Sequence, residues 1–205
     1  MYIARVLFPV NVLGIGNRVG IWTSICKHKC EGCSNPELWE ANDSQKVSIE
    51  EIFNTIKQIN DFKKIDGFTI TGGDPFYQAK ELRNLIDKLL LISDDIIIYT
   101  GFTIEELINK NDEDINYILN HISILIDGRY EKALNDNSFM VGSNNQRKLI
   151  LNEKYKEIYE NYFANNTNQI QNFILEDGIV SVGIHSNDFD KKIRKEFVSN
   201  YEKQK

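Results

Sequence analysis

Three cysteines fall within one short stretch, Cys26-Lys-His-Lys-Cys30-Glu-Gly-Cys33, at C-x3-C-x2-C spacing, and they are the only cysteines in the chain. Thiolate is the ligand type that iron–sulfur clusters select, and three thiolates can hold three irons of a cubane [4Fe-4S] cluster. The missing fourth cysteine leaves one iron open to an outside ligand, and an open iron is where chemistry can occur. Two blander readings stand beside this one. A zinc ion completed by His28 is one, although a histidine between two cysteines departs from the paired Cys-x2–4-Cys and His-x3–5-His spacing of structural zinc. Three ordinary buried cysteines is the other, although the intervening Lys, His, Lys, Glu and Gly do not have core character. A second feature is Thr71-Gly72-Gly73-Asp74-Pro75, at the end of an expected strand. In α/β sheets ligands bind outside the carboxyl ends of the strands. Two glycines there let a ligand approach bare backbone, and the carboxylate offers an acceptor to an amine. Gly-Gly-Asp alone is more often a turn; joined to the cysteine loop it marks a site.

These residues have to be positioned by the elements around them. Gly20 to Ser24 is a short β-prone run that ends at the cysteines. Ser48 with Glu51 makes a capping box, and Ile49, Ile52, Phe53, Ile56 and Ile59 recur at helical spacing, so an amphipathic helix starts near Ser48. Gly67 to Thr71 reads as a strand, and Leu82, Leu85, Ile86, Leu89 and Leu90 as a helical stripe. Ile96-Ile97-Ile98-Tyr99 suits a parallel strand buried on both faces. Thr103 with Glu106 caps a further helix, Ile115 to Ile122 reads as helix, and Ser123 to Asp127 as strand. This βαβα order predicts an α/β fold with a parallel sheet, open or partly closed.

Beyond about Leu151 the texture changes. Glu153 to Phe163 reads as a helix and Ala164 to Gln171 as a polar connector. Phe173 to Leu175 and Ile179 to Val182 flank Glu176-Asp177-Gly178, a hairpin signal. The charged segment Asp188 to Lys205 is expected to end in a helix with a frayed, basic, solvated tip. The expected division is therefore a core over residues 1–150 and an extension over residues 151–205, made of helix, hairpin and charged tail.

The whole chain has 205 residues, 41% of them hydrophobic, with a formal net charge of -6. A chain of this size buries roughly 70% of its unfolded surface, enough for one core without disulfides. Composition excludes collagen, low complexity and disorder. The acidic balance argues against nucleic acid as a partner, because such binding draws on clustered Lys and Arg. No leader signal opens the chain, and no apolar run approaches the ~20 residues of a membrane span. A cytoplasmic protein with no membrane partner is the expectation.

The cysteine spacing followed by a strand ending in Gly-Gly-Asp-Pro resembles the radical S-adenosylmethionine (SAM) proteins. Within these, the chain resembles the activating proteins of anaerobic (class III) ribonucleotide reductase. The matching pieces run in family order: Gly14-Ile-Gly16-Asn-Arg18, the cysteine loop continued by Ser-Asn35-Pro36-Glu37-Leu-Trp39, then Gly72-Gly73-Asp74-Pro75. Tyr99-Thr100-Gly101, Asp127-Gly128 and Gly142-Ser143-Asn144-Asn145-Gln146-Arg147 follow. The resemblance spans roughly residues 1–150 and implies a partial parallel (β/α) barrel. It implies that Cys26, Cys30 and Cys33 hold a [4Fe-4S] cluster whose open iron SAM chelates through its amino and carboxylate groups. Gly32 and Ser34, beside Cys33, would let the cofactor lie against backbone. Gly72 and Gly73 would meet the methionine end, and Asp74 would help fix their loop. A reduced cluster would split SAM, and the deoxyadenosyl radical would take hydrogen from one glycine of the reductase's large subunit. A flavodoxin is the implied reductant. The cofactors carry the chemistry, so no acid or base is assigned.

Other residues have two readings each. Asn35 and Trp39 either pack and cap the cluster loop or touch the cofactor. Tyr99-Thr100-Gly101 either ends a buried strand or meets the adenine or ribose. Gln146 and Arg147 either face a partner or end the core. His28 reads as a loop residue, and His121 and His185 show no partner pattern. Two departures from the family stand out: Ile25 precedes the first cysteine where Gly is common, and Ile15 stands where Pro is usual. The extra segment from about Leu151 to Lys205 is one that compact members of the family lack, which leaves the target open. Rival functions are a same-core enzyme acting on another glycyl radical enzyme or a peptide, and a non-enzymatic iron–sulfur or zinc module.

Overall fold

The computed structural model describes residues 1–176, 178–186 and 189. Apart from Phe189, the charged segment expected to end in a helix lies outside the described residues, as does Asp177 of the hairpin turn. Strand β1 (Ile3–Val10) returns through a short loop as β2 (Arg18–Thr23), a link too short for anything but antiparallel pairing. Helix α1 (Ile49–Phe62) leads to β3 (Gly67–Gly72), α2 (Ala79–Leu89) to β4 (Ile96–Tyr99), and α3 (Ile104–Ile108) with α4 (Glu113–His121) to β5 (Ile124–Asp127). Strand β6 (Arg147–Ile150) returns antiparallel to β5. The six strands lie in sequence order, with β2 to β5 parallel.

The sheet is thus mixed rather than wholly parallel, through two strands that the sequence pattern hides. Residues of β1 and β6 are mostly half-buried and β6 begins with Arg147-Lys148, so neither strand shows a continuous apolar run or clean alternation. Both are edges. The helices start where the capping residues place them: Ser48 Oγ accepts from Glu51 N at 3.2 Å, and the Glu51 carboxylate accepts from Ser48 N at 2.8 Å. Thr103 and Glu106 repeat the arrangement at α3.

The isoleucine-rich strands are explained by cover on both faces. On one face Ile52, Ile56, Leu82, Leu85, Ile86, Ile115 and Ile118 of the helices pack on Ile21, Phe68, Ile70, Ile96 and Ile98. The other face is covered by later chain. Helix α5 (Lys156–Asn165) brings Tyr159 against Ile97, Ile124 and Ile126, and the hairpin of β7 (Ile170–Leu175) and β8 (Gly178–Gly183) brings Val182 against Leu7, Val10 and Trp22. Among the described residues no helix is long and apolar enough to cross a membrane.

At the starts of the parallel strands Arg18 is fully buried. Its guanidinium donates to Thr69 Oγ1 at 2.8 Å, to the Asp95 carboxylate at 2.6 Å, to the carbonyls of Ile15 and Phe68, and to Tyr159 Oη at 3.1 Å. Tyr159 Oη donates in turn to Asp95, and Ser123 Oγ donates to the same carboxylate at 2.8 Å. Gly14, at φ +134°, leaves the room: a Cβ there would fall 2.6 Å from Arg18 Cδ. The Gly14-to-Arg18 motif therefore builds the floor of the sheet. Tyr159→Phe leaves Asp95 short of a buried donor and is expected to cost about 1–3 kcal/mol of stability. The loss should appear as a lower urea midpoint at unchanged slope, and an unchanged midpoint would remove α5 from the stabilising network.

Candidate metal centre

At the opposite ends of the same strands lies a cavity of about 220 Å³. Cys26, Cys30 and Cys33 all line it, with Ser34 and Asn35 beside the third cysteine. The end of β3 contributes Thr71, Gly72 and Gly73, and the end of β4 contributes Tyr99, Thr100 and Gly101. Gly128, Tyr130, Gly142 and Gln146 line the side reached from β5, and residues 181–185 of the hairpin supply a further wall. Two of the residues singled out in the sequence are not in this lining: Gly32 is exposed and Asp74 is fully buried.

The loop that carries the cysteines is held by backbone on both sides. Ile25 N donates to Leu38 O and Cys26 N to Trp39 O, at 2.9 and 3.0 Å, so the Asn-Pro-Glu-Leu-Trp run braces the first cysteine. Cys33 N donates to Cys30 O at 3.2 Å, and Asn35 N approaches Cys33 Sγ at 3.4 Å. Gly32, at φ +75°, makes this turn possible. Gly73 N donates to Thr23 O and Asp74 N to Ile25 O, at 2.7 and 2.9 Å. A Cβ at Gly72 would lie 2.5 Å from Thr23 O, and one at Gly73 would lie 2.6 Å from Ile25 O. The paired glycines thus let the end of β3 lie against the chain entering the cysteine loop, as well as exposing backbone to the cavity. Ile25 itself sits at φ 78°, the left-handed region where glycine is at ease and a β-branched residue is strained.

Asp74 is fully buried. It accepts from Thr100 Oγ1 at 2.9 Å, Gly101 N at 2.9 Å, Phe76 N at 3.1 Å and His28 Nε2 at 3.0 Å. Arg129 Nε lies 3.2 Å from His28 Nδ1 and can only donate, so Nδ1 is the acceptor and the Nε2 proton points at Asp74. Sequence reading left His28 as a plain loop residue, yet it also packs on Tyr77 and Phe102. Its partners are remote in sequence, and no local signal marks them. Gln146 holds the cavity's far side: its Oε1 accepts from Gly142 N at 2.8 Å and its Nε2 donates to Gly128 O at 2.8 Å. Arg147 points away, to Asp127 and Glu105.

Burial pushes the Cys26 and Cys30 thiols above their ordinary range, while backbone N–H groups of His28 and Lys29 at Cys26, and of Tyr130 at Cys30, pull the other way. Such thiols ionise readily only when a cation takes the place of the lost solvent. The donor set suits a cluster shared among three cysteines. It does not suit zinc completed by His28, because both ring nitrogens of His28 are already engaged. Among the described residues no three His, Cys, Asp or Glu side chains converge on the position of a single ion; ligands to three corners of a cubane stand farther apart than ligands to one metal.

Two substitutions test this construction. Gly73→Ala drives a Cβ into the Ile25 carbonyl and is expected to abolish cluster uptake, measured as iron and sulfide per chain after anaerobic reconstitution. Asp74→Asn sets an amide against several buried donors and should cost about 1–3 kcal/mol with loss of iron binding; full iron loading would show that the carboxylate does not position the loop.

The 4Fe-4S single cluster domain family matches residues 12–149. A curated relative, the anaerobic ribonucleoside-triphosphate reductase-activating protein of Enterobacteria phage T4, is 36% identical over 149 residues, covering 69% of this chain and 89% of the relative. The protein of the same name from Escherichia coli K12 is 31% identical over 150 residues, covering 68% of this chain and 92% of the relative. That from Vibrio cholerae is 30% identical over 133 residues, or 60% and 81% of the two chains. With its cysteine loop, its Gly-Gly-Asp strand end and a match spanning most of its length, this chain belongs to the 4Fe-4S single-cluster family of anaerobic ribonucleoside-triphosphate reductase-activating proteins.

Proposed function

We propose that the protein is a radical SAM activase that generates a glycyl radical on an anaerobic ribonucleotide reductase. The observation that carries this reading is that all three cysteines of the C-x3-C-x2-C loop face one cavity with the exposed backbone of Gly72 and Gly73. When bound, a [4Fe-4S] cluster with an open iron supplies the electron that splits SAM, so that the adenosyl fragment can take a hydrogen atom from a glycine Cα.

The chain's own part is to bind, orient and exclude water. Cys26, Cys30 and Cys33 serve as the three cluster ligands, and Ser34, Gly72 and Gly73 present small groups and backbone to the cofactor. Gly32 shapes the turn between the last two ligands. Asp74 does not meet the cofactor in this reading; its carboxylate is taken up by Thr100, Gly101, His28 and Phe76, and it fixes the strand ends that do. Burial raises the Cys26 and Cys30 thiols, so a bound cation is what makes them available as thiolates. Residues 1–150 act as the radical core, curled as a partial barrel, and residues 151–205 as an added unit. The partner is the reductase's large subunit, the electron donor is of flavodoxin type, and the reaction runs in the cytoplasm.

Reconstituted, reduced protein is expected to give a cluster electron paramagnetic resonance signal that changes shape when SAM is added. A cluster indifferent to SAM would sink the reading and promote an electron-transfer or storage role. Cys30→Ala should lose that SAM-sensitive signal and all SAM cleavage, assayed as 5′-deoxyadenosine and methionine.

A further inference from the structure

The edges of the six-stranded sheet, β1 and β6, do not pair with each other among the described residues. Residues 168–176 and 178–185 stretch across the gap. On the β1 side Gln171 Nε2 donates to Pro9 O at 2.7 Å, and its Oε1 accepts from Asn11 N at 3.0 Å. Val182, only 2% exposed, packs there with Leu7, Val10 and Trp22. On the β6 side, in the chain between β5 and β6, Asn168 accepts from Met140 N and donates to the carbonyls of Asn137 and Ser138. Asn135 Nδ2 donates to His185 O at 3.2 Å.

A segment tied near both edges of a sheet, and lining the same cavity as its central strands, lies across that cavity from them. The ends of β3 and β4 and the cysteine loop occupy the cofactor side. The wall facing them is left for the molecule that receives the radical. Its chemistry suits a polypeptide: Ser181, Val182 and Gly183 of β8 are small and line the cavity beside the strand-end backbone of Gly72 and Gly73, and β8 is a strand that among the described residues pairs only with β7, the kind of element that an extended chain can join. The family match ends at residue 149, so this wall is built from sequence beyond it.

We propose that residues 168–176 and 178–185 form the substrate-facing wall of the site, shielding the cluster and holding a glycine-bearing polypeptide segment against it. The substrate half of this inference rests on the function proposed above; the shielding half needs only a bound cluster.

The test uses full-length Asn168→Ala/Gln171→Ala, since neither side chain lines the cavity and together they tie the wall to both sides. Losing both sets of ties should raise the population of the opened wall roughly tenfold. In reconstituted holoprotein of equal iron content, iron removal by EDTA is therefore expected to accelerate by about tenfold. The yield of glycyl radical per SAM cleaved should fall as well. If the double variant takes up no iron, Gln171→Ala alone supplies a milder loosening that should shift both readouts the same way. Chelation at the wild-type rate would overturn the wall, and faster chelation with undiminished radical yield per SAM would overturn its substrate role. Failure of the proposed function looks different: the wild-type protein would hold a cluster and cleave no SAM, while the chelation contrast persisted.

Discussion

The site depends on one buried carboxylate. Asp74 gathers donors from three separate stretches of chain: His28 from the cysteine loop, Thr100 and Gly101 from the end of β4, and Phe76 from its own turn. A carboxylate in so dry a place is tolerable only when its acceptor sites are filled, so the segments that fill them are held in mutual register. Gly101 is part of the same constraint. A Cβ there would lie 2.5 Å from the His28 ring, so the bare backbone is what lets the imidazole reach Asp74. His28, between the first two cysteines, then carries that order into the loop.

A second polar cluster, around Arg18 and Asp95, lies at the other ends of the same parallel strands. The two divide the labour as in other α/β folds, with stability at the strand starts and chemistry at the strand ends. The buried guanidinium has all three nitrogens engaged, and its partners come from β3, from the start of β4 and from α5. Removing one partner from such a cluster leaves a buried group unpaired, which is why it acts as a unit rather than as a sum of contacts. Between the clusters, strands with isoleucine on both faces are stable because helices cover one face and the chain after residue 150 covers much of the other.

Much of the fold was legible because its signals are local. Ser48 with Glu51 and Thr103 with Glu106 cap their own helices within one turn, and Ile96-Ile97-Ile98 can hardly be other than a doubly buried strand. Strands β7 and β8 flank the expected hairpin turn, with Glu176 in the link and Gly178 already paired with Leu175 as the first residue of β8. Strands β1 and β6 were not legible, since an edge strand is half-buried and neither alternates nor runs apolar. The floor motif was visible as Gly14 to Arg18, but only the packing shows that the glycine makes room for the guanidinium. Ile25 was visible as a departure from the family, and only its φ of 78° shows what that departure strains.

By itself, then, the sequence determined the three cysteines and their spacing, the glycine pair and the succession of strands and helices, because each depends on spacing within a loop or periodicity within an element. Only the tertiary structure decided that Asp74 gathers His28, Thr100, Gly101 and Phe76 around its carboxylate, that His28 answers to Arg129, and that Tyr159 closes the Arg18 cluster. It also decided that residues 181–185 wall the cysteine cavity. Each of those outcomes joins residues dozens to more than a hundred positions apart, and such pairings are set by how the chain packs, which no local pattern records.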